Sequence, residues 1–74
     1  MSVQIVLDHT GDTRHEFDAA DEAAVAQAKI RFAELTGRGF RAVALGKAAE
    51  KGSLMSEFDS SVAETLFIPQ LQGG

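Results

Sequence analysis

A chain of 74 residues and 7.9 kDa has material for one domain with one modest core, because domains of this size bury only about 60% of the surface that the unfolded chain exposes. It has no cysteine, which excludes disulfides, thiolate zinc sites and a cysteine nucleophile and makes the cytoplasm the expected compartment. A formal net charge of −4 speaks against nucleic-acid binding, which rewards clustered Lys and Arg, and with no long apolar run neither secretion nor membrane insertion is expected.

Val3, Ile5 and Leu7 alternate with Ser2, Gln4 and Asp8, the period-two pattern of a half-buried strand, with Val6 the one apolar residue on the other face. Asp8-His9-Thr10-Gly11-Asp12 gathers turn formers around a glycine, and Thr13 to Phe17 resumes a short alternating run. The two runs are expected to form a β-hairpin.

Asp18 or Asp21 suits a helix N-cap, and helix formers follow from Ala19 to Leu35. Ala24, Val25, Ala28, Phe32 and Leu35 fall on one face at helical spacing, while Glu22, Gln27, Arg31 and Glu34 fall elsewhere. Thr36-Gly37-Arg38-Gly39 supplies glycines for a left-handed stop, and Phe40 to Leu45, broken only by Arg41, is expected to be a third strand.

Gly46 to Ser61 is mostly polar, with isolated anchors at Leu54, Met55 and Phe58. A structureless loop of that length is uncommon in a compact domain, so a turn of helix or a short edge strand is expected within it. Glu64 to Pro69 reads as the last strand, with Leu66 and Ile68 facing one way and Phe67 the other. Proline donates no ladder hydrogen bond, so the strand ends there, and Gln70 to Gly74 reads as an exposed tail.

These elements assemble into an α+β domain over residues 1–69, a mixed four-stranded sheet packed on one helix. The expected core sets Ala24, Val25, Ala28, Phe32 and Leu35 of the helix against Ile5, Leu7, Phe17, Leu66 and Ile68 of the sheet.

Chemistry-bearing patterns are sparse, and no enzymatic activity is expected. His9 and His15 lack a metal-ligand spacing. Asp8 and Asp12 flank a turn and are better explained as turn formers than as calcium ligands. Ser53, Ser56, Ser60 and Ser61 have neither a nucleophile-elbow context nor a base partner, and no glycine-rich phosphate cradle precedes the helix. Met55, Phe58 and the outward-facing Ile30 form a candidate apolar patch, although local packing explains each more simply. Six of the seven basic residues, Lys29, Arg31, Arg38, Arg41, Lys47 and Lys51, lie mid-chain and read either as a solvated surface or as a docking stripe.

The ending Thr65-Leu66-Phe67-Ile68-Pro69-Gln70-Leu71-Gln72-Gly73-Gly74 differs in kind, for an apolar strand runs through a proline and an apolar residue to a diglycine. Glycine permits a thin, unhindered chain end. This ending resembles that of the molybdopterin-synthase sulfur carriers, and length and finish are similar to ubiquitin. With the order hairpin, helix, strand, loop, strand, the chain resembles the β-grasp ubiquitin-like proteins.

That resemblance implies a ββαββ β-grasp fold and a modifier or sulfur carrier of bacterial type. It implies that an E1-like enzyme, using its own ATP and magnesium, adenylates the Gly74 carboxylate beside Gly73. Transfer to sulfur or to a lysine follows, with an E2-like, JAB-type peptidase or sulfurtransferase partner. Arg31, Arg38, Arg41 and Leu71 are the expected docking residues, and no cofactor is carried by the chain. The alternative is a β-grasp subunit that binds a partner without conjugation, and a phage or secretion-system structural component is a third reading.

Overall fold

The structure, a computed structural model, describes residues 1–46 and 49–70, with the backbone alone described at 46 and 49–52. In chain order the elements are β1 (Ser2–Asp8), β2 (Gly11–Phe17), α1 (Glu22–Gly37), β3 (Phe40–Gly46), β4 (Ala49–Met55) and β5 (Glu64–Pro69).

Local chemistry accounts for the boundaries. The Asp8 carboxylate accepts from the Thr10 backbone N–H at 2.8 Å and from the Thr10 hydroxyl, closing the turn between β1 and β2. Gly11, at φ 128°, then starts β2 in a conformation that a side chain would strain. Of the two candidate N-caps, Asp21 does the work, accepting from Ala23 and Ala24 N–H at 3.0 and 3.2 Å. Asp18 instead accepts from Ala20 N–H at 2.9 Å, which holds Ala19 and Ala20 in a turn and delays the helix to Glu22. At the other end Gly39 takes φ 98° and turns the chain into β3.

The sheet has five strands, in the order β2-β1-β5-β3-β4. β5 lies parallel to β1, while β2 is antiparallel to β1 and β3 is antiparallel to both β5 and β4. The fold is thus α+β, one helix on a mixed sheet, with one strand more than expected. The additional strand, β4, lies in the segment where a turn of helix or a short edge strand was expected, and it is an edge strand of seven residues. It runs antiparallel to β3 at the sheet edge, pairing Met55, Leu54, Ser53 and Ala49 with Ala42, Val43, Ala44 and Gly46, with an irregularity between Ala44 and Gly46. Its sequence, AEKGSLM, carries no clear alternation because an edge strand is held mainly by backbone pairing.

The helix contributes Ala28, Phe32 and Leu35 to the core as expected, with Ala24 and Val25 half-buried at its start. Facing it, the strands turn the opposite side from the one expected. Phe67 is 0% exposed and meets Phe32 edge-on at 5.7 Å, with Ala42, Val6 and Phe40 beside them. Phe58, from the segment after β4, packs on Phe32 at 6.0 Å and on Phe17 at 6.2 Å. Successive residues of a strand point to opposite faces, so Ile5, Leu7, Leu66 and Ile68 lie on the face away from the helix. Of the expected inward set only Phe17 faces α1. Ile5 is nonetheless buried, covered by its neighbours on that outer face.

The cause of the inversion is register. Val6 pairs with Phe67, and Phe67 with Ala42, so all three share one face. The face that meets the helix carries the rings of Phe17, Phe40 and Phe67, which gather with Phe32 and Phe58 in one aromatic cluster. Gln4 comes inward with it. Fully buried at 0% exposure, its amide donates to the Ala28 carbonyl at 2.9 Å and its Oε1 accepts from the Arg31 guanidinium at 2.8 Å, so neither end is left unsatisfied.

Candidate docking surface

The inversion leaves an apolar sheet face that no element among the described residues covers. Register places Ile5, Leu66, Val43 and Leu54 side by side across β1, β5, β3 and β4. Val3 and Leu7 extend the row along β1, and Leu45 and Ile68 extend it along β3 and β5. Ile5 at the centre is 7% exposed, whereas Ile68 is 38% and Leu54 68% exposed. The side chains therefore shield one another in the middle of the sheet and stand in water towards β4. A contiguous apolar surface of this kind costs solubility and marks an interaction site more often than scattered single residues do.

Charge surrounds this face unevenly. At one end Glu16 and Glu64 flank Val3 on neighbouring strands. On β2, Arg14 and Asp12 point the same way and approach to 3.9 Å, so their charges largely offset each other. At the far end Arg41 pairs in register with Ile68. The face therefore has an acidic end and a basic end.

The basic residues expected to form one stripe are divided by the fold. Arg31 and Arg38, from α1 and its C-cap, line a shallow groove on the helix side together with Thr13 and His15 of β2. Arg41 lies on the opposite side of the sheet, and Lys29 borders a different groove, beneath residues 56–62. The side chains of Lys47 and Lys51 lie outside the described residues, as do Leu71, Gly73 and Gly74.

The remaining candidates have structural roles. Met55 and Phe58 are half-buried against the core rather than presented for docking, and Ile30 stands alone at 54% exposure on the outer side of α1. Asp59 accepts from the Ser61 N–H at 2.9 Å and from the Ser61 hydroxyl at 2.6 Å, and Ser2 reaches the Ser60 carbonyl at 3.4 Å. Ser60 and Ser61 thus build the turn before β5. Hydrogen bonds from Thr10 hold the Asp8 carboxyl below its ordinary value of 3.8, and those from Ser61 do the same for Asp59. His9 is in the exposed turn and His15 is half-buried on the helix side, so the hairpin does not bring them together. Burial, and then the charge of Arg31, hold the His15 imidazole below its ordinary 6.5. Among the described residues no group of three or more His, Asp or Glu converges as a metal site would require. No helix is long and apolar enough to cross a membrane.

The open apolar face is the feature that sequence reasoning missed. Its signal was in the sequence, in the runs Ile5-Val6-Leu7 and Leu66-Phe67-Ile68, which are apolar on both faces as strands in the middle of a sheet are. No family model, no curated protein and no solved structure matches this chain.

Proposed function

We propose that the chain is a non-enzymatic interaction module of β-grasp type that docks through the open face of its sheet. The row of Ile5, Leu66, Val43 and Leu54, over which no described element lies and which leads to the exposed Leu54 and Ile68, carries this reading. The β-grasp assignment is supported by a hairpin, then a helix packed on one face of a mixed sheet, then a last strand lying parallel to the first. The partner is a protein with an apolar patch whose basic side chains meet Glu16 and Glu64 and whose acidic group meets Arg41. Opposite charge at the two ends sets the register of docking, and the apolar centre supplies the affinity.

The test is binding of the purified partner, identified by affinity capture with the wild-type chain. Leu54→Asp with Ile68→Asp should weaken it at least about a hundredfold, because both charges must be desolvated within the interface. Lys29→Glu, on the helix side, should leave it unchanged. Loss of affinity with Lys29→Glu alone would refute the assignment, and concentration-dependent self-association of the wild type would make a second copy the occupant.

A second reading is favoured by where the chain leaves the sheet. The Gln70 N–H donates to the Gly39 carbonyl at 3.1 Å, next to the pairing of Pro69 with Phe40. The described chain therefore ends with Gln70 at the end of the central strand, at the Ile68 and Arg41 end of the open face. The four residues that follow end in Gly73-Gly74, the ending that a ubiquitin-like modifier or sulfur carrier presents to its E1-like activating enzyme. Incubation with such an enzyme and ATP should add an adenylate, thiocarboxylate or isopeptide mass at Gly74. Deleting Gly73-Gly74 should abolish that product while leaving docking through the face intact.

A further inference from the structure

On the helix side of the sheet, α1 and β2 enclose a concavity of about 220 Å³ with an apolar floor, Val6 and Leu35, and a polar wall. Thr13 and His15 face it from β2; Arg31, Glu34 and Arg38 face it from α1 and its C-cap. We propose that this groove binds a single oxyanion group, a carboxylate or phosphate oxygen pair held between the guanidinium groups of Arg31 and Arg38.

Three observations converge on it. First, neither arginine has a carboxylate within ion-pair distance among the described residues, where the one ion pair is Arg14 with Asp12 on the other face of the sheet. Two unpaired guanidinium groups beside an apolar floor raise the local positive potential, although the chain as a whole carries −4. Second, Arg31 is held in place. Its contact to Gln4 at 2.8 Å uses one N–H, and Gln4 is itself locked by burial and by the Ala28 carbonyl, so the guanidinium enters the groove with little freedom left to lose. A planar fork positioned in advance is the geometry that recognises carboxylate and phosphate. Third, the Thr13 hydroxyl is a further donor, and protonation adds a second ring N–H donor and a positive charge to His15.

The charge of the lining limits the ligand. Arg31 and Arg38 against Glu34 leave one net positive charge with His15 neutral, which matches a singly charged oxyanion, and the volume admits one such group rather than a nucleotide. Two sources share that chemistry, namely a small free anion such as inorganic phosphate and the carboxylate of an acidic peptide. This site is separate from the open face, on the opposite side of the sheet, and stands or falls independently of docking there.

Protonation connects the groove to pH. His15 faces Arg31, Glu34 and Arg38 of α1; its neighbours Arg14 and Glu16 on β2 point to the other side, and the adjoining β1 residues Gln4 and Val6 do not titrate. A bound anion favours the imidazolium, so affinity rises as pH falls through the His15 titration.

The test is an NMR titration of the whole chain with sodium phosphate, sodium acetate and a short Asp-rich peptide, each against sodium chloride at equal ionic strength. Saturable shifts of the His15 imidazole and the Arg31 and Arg38 side chains are expected with a Kd on the order of millimolar. Arg38→Gln, at an exposed helix end where the fold is not at stake, should weaken binding about tenfold; Arg31→Gln should do at least as much, and Arg41→Gln nothing. His15→Gln should keep binding but flatten its pH dependence. Tighter binding of phosphate makes the site one for small anions, and tighter binding of the peptide makes it a docking point for acidic segments. Shifts that never saturate, that chloride reproduces, or that Arg41→Gln removes as well as Arg38→Gln would overturn the proposal.

Discussion

Strand β5 offers a direct test of which sheet face is the core, because neighbouring residues on it have opposite fates. Phe67 is 0% exposed, meets Phe32 edge-on at 5.7 Å and sits among Ala42, Val6 and Phe40, so no mobile neighbour stands ready to fill its place. Phe67→Ala should cost about 3 to 5 kcal/mol, the sum of lost transfer energy and a cavity that only partly collapses. A domain this small has roughly 5 kcal/mol to lose, so the milder Phe67→Leu, at about 1 to 2 kcal/mol, keeps the comparison measurable. Ile68 is 38% exposed on the open face. Full burial of an isoleucine contributes about 1.5 to 3 kcal/mol, and threonine retains the β-branch and part of the contact, so Ile68→Thr should cost about 1 kcal/mol or less. The chain has neither Trp nor Tyr, so urea unfolding is best followed by far-UV circular dichroism, with unchanged slopes required for the comparison. An Ile68→Thr variant that loses more stability than Phe67→Ala would show that β5 is turned the other way, and the open face would vanish as a docking surface.

Three further outcomes follow from local chemistry. Because His15 titrates below 6.5 in the fold, the unfolded chain takes up the proton first. Stability is therefore full above that value and declines as pH falls from 6.5 through the folded-state value; His15→Gln should remove that part of the decline in unfolding free energy. The Asp8 and Asp59 carboxyls, held below 3.8 by Thr10 and Ser61, should contribute stability above 3.8 that is lost as pH falls through their folded values. NMR titration should find Thr10→Val returning Asp8, and Ser61→Ala returning Asp59, towards 3.8. Gly39→Ala meets no atom within 4 Å, yet at φ 98° it should cost on the order of 1 kcal/mol by calorimetry, from backbone strain alone.

What the sequence determined by itself was the set of elements. Hairpin, helix, third strand and last strand lie where turn residues, caps and periodicity place them, because those signals act within a few residues of the chain. Ala28, Phe32 and Leu35 were legible as the buried helical stripe for the same reason. The tertiary structure decided the rest. Which side of β1 and β5 meets the helix depends on a register shared by Val6, Phe67 and Ala42, on three strands far apart in sequence, whereas the period-two pattern of β1 by itself points to the opposite side. β4 forms because β3 offers it a free edge to pair with, a condition invisible in its own residues. The division of Arg31 and Arg38 from Arg41 likewise arises because Gly39 turns the chain between them from helix to strand. Burial of Gln4 is satisfied only by partners more than twenty residues away, the Ala28 carbonyl and Arg31. Long-range pairing, not local propensity, is therefore what created both the open apolar face and the groove behind it.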